Sequence, residues 1–322
     1  KARGMVKVLT SHHSIWHPEQ VVAQLIQEYQ TQGRAAIDLN NEGPCADTIG
    51  LYRLLDGVCQ QFAFDPAQIE IVTANREEQH SRYRITVRNN LHWFSKTLTA
   101  YRSLDALAPK NFNNLFGCLY NVPSWDRLCL LSYIHRTTQH SSLLTCNGTW
   151  QPDRYNTYYL NTLIDHAPTE LANVAEYLKT NPSAALDDVA EAKPVTAEHQ
   201  MQVWPLYSDF FVDVVAETYN TGLSFFVTEK TLRPMLALTP FVVNAPPGYL
   251  SMLKYDFGFR TFDAWWDEDY DNYQGYERIQ RMYQIIDQLD KLSAAQCQDM
   301  YADMMPVLQH NKQHLLTYEQ RR

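Results

Sequence analysis

Three consecutive residues, Thr228-Glu229-Lys230, bring together a hydroxyl, a carboxylate and an ammonium, with Arg233 one turn further on. An ionised carboxylate only accepts hydrogen bonds, so its two oxygens can take both hydroxyl protons of a ribose. Lysine and arginine neutralise phosphate charge, arginine through paired, directional bonds. Upstream, the apolar run at 209–217 (DFFVDVVAE) reads as a buried strand ending on Glu217, and a helix starts near Thr228. Ligands of open α/β sheets bind beyond the carboxyl ends of strands. A helix N-terminus in that position offers free N–H groups and partial positive charge, which suits a pyrophosphate. The same residues also make an ordinary helix start, with Thr228 as N-cap and Glu229 in the first turn. Pro234 would fall in the second turn of such a helix, which predicts a kink or a later start.

The rest of the chain supplies the elements that must position these groups. Strand patterns at 5–10, 35–39 and 69–73 alternate with helical patterns that open at His17-Pro18-Glu19 and at Ile49. That alternation is the signature of a parallel α/β sheet. A second α/β unit follows, with strands at 115–121, 143–146, 209–217 and 240–243 and helices at 126–135 and after Thr228. Two helices, 274–292 and 294–316, end the chain. The expected organisation is an N-terminal acceptor-binding domain at 5–110, a donor-binding domain at 111–292, and a C-terminal helix at 293–322 packing back on the first domain.

Composition narrows the function classes. Of 322 residues, 45% are hydrophobic and 20% charged, an ordinary globular balance. A net charge of −9 argues against broad attraction to nucleic acid. One segment departs from this: residues 76–102 hold Arg76, Arg82, Arg84, Arg88, Lys96 and Arg102 against Glu77 and Glu78, with His92-Trp93-Phe94 between them. It reads either as a solvated helix face or as a surface for an anionic acceptor, with Arg82, Arg84 and Arg88 as candidate contacts. The six cysteines form no CxxC pair, so neither a zinc knuckle nor a thioredoxin motif is visible. Scattered thiols suit a reducing compartment, and no apolar run approaches the length of a membrane span. A cytoplasmic location is expected, that of the host if the gene belongs to a phage.

The run VTEK, followed by a helix and the strand TPFVV, resembles the donor motif of the α1,3-fucosyltransferase family. A second match is the stretch Asn121-Val122-Pro123-Ser124-Trp125-Asp126-Arg127 at another strand end. The resemblance implies a GT-B glycosyltransferase fold, two Rossmann-type domains facing across a cleft. It also implies a nucleotide-sugar donor, UDP- or GDP-linked, and inverting chemistry without a metal. By the same resemblance Glu229 holds the ribose, Lys230 and Arg127 the diphosphate, and Asn121 and Glu217 stand at the strand ends beside them. Residues 229–271, including Pro247-Gly248-Tyr249, Phe257-Gly258-Phe259 and Tyr270-Asp271, are also similar to glycosyltransferase-like proteins of large tailed bacteriophages. That likeness implies a hydroxylated base of phage DNA as acceptor, with a glycan as the other choice. The alternative reading is a non-catalytic nucleotide- or nucleic-acid-binding α/β protein.

A transfer also needs a group to take the acceptor proton. The first strand runs into Thr10-Ser11-His12-His13, and a histidine there titrates near neutral pH. His12 and His13 are the candidate bases, with Asp38 and Glu42 as rivals. The family's own glutamate base has no alignable counterpart. A metal site from His12, His13 and His17 lacks a fourth ligand nearby. The acidic run Asp267-Glu268-Asp269 reads as a capped loop or helix start.

Overall fold

The computed structural model describes residues 5–8, 15, 17–39, 45–88, 92–120, 123–146, 162–180, 203–220 and 222–318. The chain divides into two compact units. One comprises Lys1–His92 with Thr221–Val227, the other Trp93–Asn220 with Thr228–Arg322. Each contains a parallel four-stranded sheet, so the protein is α/β and its two units are Rossmann-like.

The first unit alternates strands and helices: β1 Val6–Lys7, α1 Pro18–Gln32, β2 Ala35–Asp38, α2 Leu51–Phe62, β3 Ile69–Thr73 and β4 Arg84–Val87. Proline at the first position of α1 suits a turn whose N–H groups have no partner, and Gly33 closes the helix by donating to Tyr29 O from a left-handed conformation. In α2, Leu51, Leu55, Val58 and Cys59 form the buried face that covers the sheet with Val21 and Leu25 of α1. The strands lie in chain order, β1-β2-β3-β4. The helix expected from Ile49 begins at Leu51, after a turn closed by Gly50 N donating to Asp47 O at 2.9 Å.

The second unit begins with α3 His92–Tyr101, then β5 Asn114–Tyr120, α4 Trp125–Thr137, β6 Ser142–Cys146 and α5 Leu171–Thr180. It continues with β7 Phe210–Ala216, α6 Glu229–Leu236, β8 Phe241–Asn244, α7 Gly275–Leu289 and α8 Ala294–Tyr318. Every residue of β7 and β8 is buried, as expected of a parallel sheet with helices on both faces. α4 packs against α5 and α7, and α6 packs against α8. Behind β8, the fully buried Arg278 donates to the carbonyls of Val243, Tyr270, Asp271 and Tyr273 and pairs with Asp271 at 3.1 Å.

The basic segment 76–102 is not one helix face. Arg84 opens β4, while Lys96 and Arg102 lie on and just after α3, in the other unit. The C-terminal helix does meet α3: Tyr318 lies 5.2 Å from the Phe94 ring, and Lys312 stands over Tyr101. Those partners group with the second unit, whose chain starts at Trp93 rather than near residue 111.

Candidate functional site

The second sheet has the order β6-β5-β7-β8. After β5 the chain crosses through α4 to β6 on one side. After β7 it crosses through α6 to β8 on the other side. The order therefore reverses between β5 and β7, and the two crossover helices start on either side of that point. Such a reversal opens a crevice beyond the carboxyl ends of the two strands.

Glu217 follows β7 directly and is almost fully buried. Its carboxylate accepts from Thr228 N at 3.1 Å, Thr228 Oγ1 at 2.6 Å, Thr231 Oγ1 at 2.6 Å and Tyr249 OH at 3.0 Å. Thr218 N donates to it as well, at 3.3 Å. Five donors occupy its acceptor sites, so Glu217 holds the first turn of α6 against the strand end. Thr228 is the N-cap of α6 and accepts from Lys230 N at 3.2 Å. The helix starts at Glu229 with no later start, and Pro234 sits inside it. Ala237 N donates to Arg233 O and Thr239 N to Pro234 O, both at 2.9 Å, so the short helix closes beyond its proline.

Lys230 is the most exposed of these groups. Its Nζ reaches Thr218 Oγ1 and Thr228 Oγ1, each at 3.2 Å, and stands 3.5 Å from the Glu229 carboxylate. Glu229 itself is buried. On the other side of the strand reversal, Arg127 in the first turn of α4 donates to Ala216 O at 3.2 Å and lies over the Tyr120 ring. Arg127 and Lys230 thus flank the end of β7 from two helices. Between them is a small cleft, with room for about one water molecule, lined by Leu119, Tyr120, Asp213, Val215, Ala216, Lys230 and Arg233.

Two groups beside Arg233, Asp213 in the cleft and Lys110 close by, lie outside the sequence-based expectations. Asp213, in the middle of β7, is buried and accepts from Tyr207 OH at 2.6 Å. Burial raises its carboxyl to about 6, against the opposing pull of Tyr207, Arg233 and Lys110. Arg233 is buried too; burial works against its charge, but Tyr207, Glu229 and Asp213 raise its pKa on balance. Lys110 donates to Thr239 Oγ1 at 2.6 Å and to the carbonyls of Tyr207 and Phe210, and burial lowers its ammonium to about 7. An acid within an otherwise apolar strand run was the signal that could have revealed Asp213. Lys110, far away in sequence, carried none.

Among the other expected residues, His12, His13, Asn121 and Glu42 lie outside the described ones. His17 caps α1 and stands 3.5 Å from Glu19 on the surface. The acidic run is a capped turn: Asp269 N donates to Asp267, Phe262 N donates to Glu268 at 2.7 Å, and Asp269 pairs with Arg281. Burial raises Glu268 to about 7. In the first unit Arg82 pairs with Asp56 at 3.0 Å, and Arg84 and Arg88 are exposed. Among the described residues no group of three or more acidic, histidine or cysteine side chains could hold a metal, and no helix is long and apolar enough to cross a membrane. No family model, curated protein or solved structure matches this chain.

Proposed function

We propose that the second unit binds the diphosphate of a nucleotide sugar at the β5–β7 reversal and that the protein is a glycosyltransferase. The observation that carries this reading is the convergence there of Arg127 from α4, Lys230 from α6 and the N-terminus of α6. These groups would stabilise the nucleoside diphosphate as it departs. Glu217 and the buried Arg233 do not join the ligand set in this reading: the first fixes the helix start and the second balances internal acids. Glu229 is assigned to the ribose by resemblance, and its reach requires the carboxylate to turn outward from its place beside Lys230. The acceptor is a hydroxyl of DNA or of a glycan. Exposed Arg84 and Arg88 support an anionic acceptor, and the overall negative charge opposes one.

A thermal-shift screen against UDP, GDP, ADP, CMP and their sugars tests the donor class, since a ligand stabilises in proportion to its affinity. One nucleotide sugar is expected to stabilise the protein. Lys230→Met should weaken it by roughly tenfold to a hundredfold, the range of a lost charge-assisted bond. Unchanged affinity in that variant would remove the site. Binding without transfer or hydrolysis of any nucleotide sugar would leave a binding module and end the enzyme reading. For the acceptor, DNA binding that weakens with salt and disappears on reversing Arg84 and Arg88 supports DNA; salt-independent behaviour supports a glycan.

A further inference from the structure

Beneath the proposed diphosphate site, charges of both signs from α6, β7 and the segment before β5 come together. Lys230 stands 3.5 Å from Glu229. Glu229 and Asp213 both act on Arg233, and Asp213 lines the same pocket as Arg233 and Lys230. Lys110 acts on Asp213 from the opposite end, pinned by the carbonyls of Tyr207 and Phe210 and by Thr239. Asp213, Arg233 and Lys230 thus share one cleft, with Glu229 beside Lys230 and Lys110 held next to Tyr207, the residue that also donates to Asp213. Three members sit on α6, one on β7 and one just before β5, so the group exists only in the folded unit.

We propose that Asp213 is a positioning residue for the diphosphate site, coupling the charge of this buried group to the attraction that the start of α6 exerts on an anion. The inference rests on the diphosphate reading above and adds a regulator to it. Charges buried in a low-dielectric interior act on one another far more strongly than at the surface. A proton taken up by Asp213 or Lys110 adds one positive charge to the group, and an anion bound at Lys230 favours that uptake. The titrating groups are suited to the task, with Asp213 raised to about 6 and Lys110 lowered to about 7, each chiefly by burial. The other titratable neighbours of Asp213 are Tyr207, Cys118 and Tyr120; burial pushes all three well up, so they stay neutral over this range. Affinity for a dianion is therefore expected to rise as pH falls from about 8 to about 6.

The test is the affinity of UDP-glucose and GDP-mannose between about pH 5.5 and 8.5, on wild type, Asp213→Asn, Lys110→Met and Lys230→Met. The diphosphate of both probes is diesterified and keeps its charge across that range. Wild type should bind about threefold to tenfold more tightly at the acid end, the size of a fraction of a pK unit to one unit of linkage. Asp213→Asn should bind more tightly than wild type at the alkaline end and keep only the part of the pH response that Lys110 supplies, and Lys110→Met should lose the gain between about pH 8 and 7. If Asp213→Asn does not fold, the Lys110→Met profile carries the test. Variants that bind with the wild-type pH profile overturn the inference and leave the diphosphate reading intact. Absence of binding by wild type at every pH, or Lys230→Met binding as wild type does, overturns the diphosphate reading and this inference with it.

Discussion

The two sheets share a strand count and a parallel arrangement, yet they differ in order. The first runs β1-β2-β3-β4, each strand added on the same side of the last. The second runs β6-β5-β7-β8, with its first strand in chain order in the interior and later strands on both sides. A one-way sheet sends its described crossovers in one direction, so no two helix starts diverge from a common gap. The two-way sheet creates that gap, and the charged groups gather there: Arg127, Lys230, Asp213 and Arg233. Burial follows the same division. β4 has two exposed and two half-buried residues, whereas β7 is buried throughout. What the comparison teaches is that strand order, more than strand count, decides where charged side chains from two helices can converge.

The sharpest way to break this contrast is at Glu217. Glu217→Gln keeps the shape but puts an amide donor among hydroxyl and N–H donors. It should destabilise the second unit by about 2–3 kcal/mol and weaken nucleotide binding. Denaturant unfolding and the thermal-shift screen would check both, and a variant of wild-type stability would mean that the strand end does not depend on this carboxylate. Next in size is Gly117 of β5. A Cβ there would lie 2.6 Å from ring atoms of Phe210, so Gly117→Ala should cost about 1–3 kcal/mol. Glu268→Gln tests pH dependence. The folded carboxyl sits near 7 and the unfolded one near 4.5, so the folded state binds more protons between these values. Stability from this group is present below about pH 4.5 and lost as pH rises through 7. The glutamine variant should flatten that decline by roughly 1–2 kcal/mol, read as melting temperature against pH. The smallest effect belongs to the first unit. Gly57 lies inside α2, and a methyl group placed on it would meet nothing within 4 Å, so Gly57→Ala should stabilise by about 0.5–1 kcal/mol. Opposite signs at Gly117 and Gly57 would sharpen the comparison, and equal signs would contradict it.

Much of the architecture was legible because its signals are local. The run FFVDVVA announces a buried strand, and Pro18 and Gly33 bracket α1. Glu217, Thr228 and Lys230 were legible as neighbours in a strand–loop–helix passage. What they do was only partly so: the sequence shows Lys230 and Arg233 as two similar cations on one helix, and only the sheet distinguishes the accessible one from the buried one. Lys110 and Asp213 meet through tertiary packing, which no spacing encodes. In the basic segment, the charges mask the patterns of β4 and α3. β4 has too short and too exposed a pattern for a period of two to stand out. The glycine- and aromatic-rich stretch after β8 is largely core: Tyr249, Phe259, Phe262 and Tyr270 are buried, and Asp271 receives the N–H groups of Leu250 and Ser251.

The excursion Thr221–Val227 has a consequence for the order in which the protein is made. Ser224 bridges Asn75, Leu223 O accepts from Arg76 N at 3.0 Å, and the Arg76 guanidinium lies over Phe225. These partners belong to the unit whose strands leave the ribosome first, but the excursion emerges only after β7. The early unit therefore waits, with Asn75 and Arg76 uncovered, until most of the second sheet has been synthesised. Neither unit is one uninterrupted stretch of translation, and a nascent chain stalled before Ser224 should show an incompletely protected first unit, whatever its strands have already achieved.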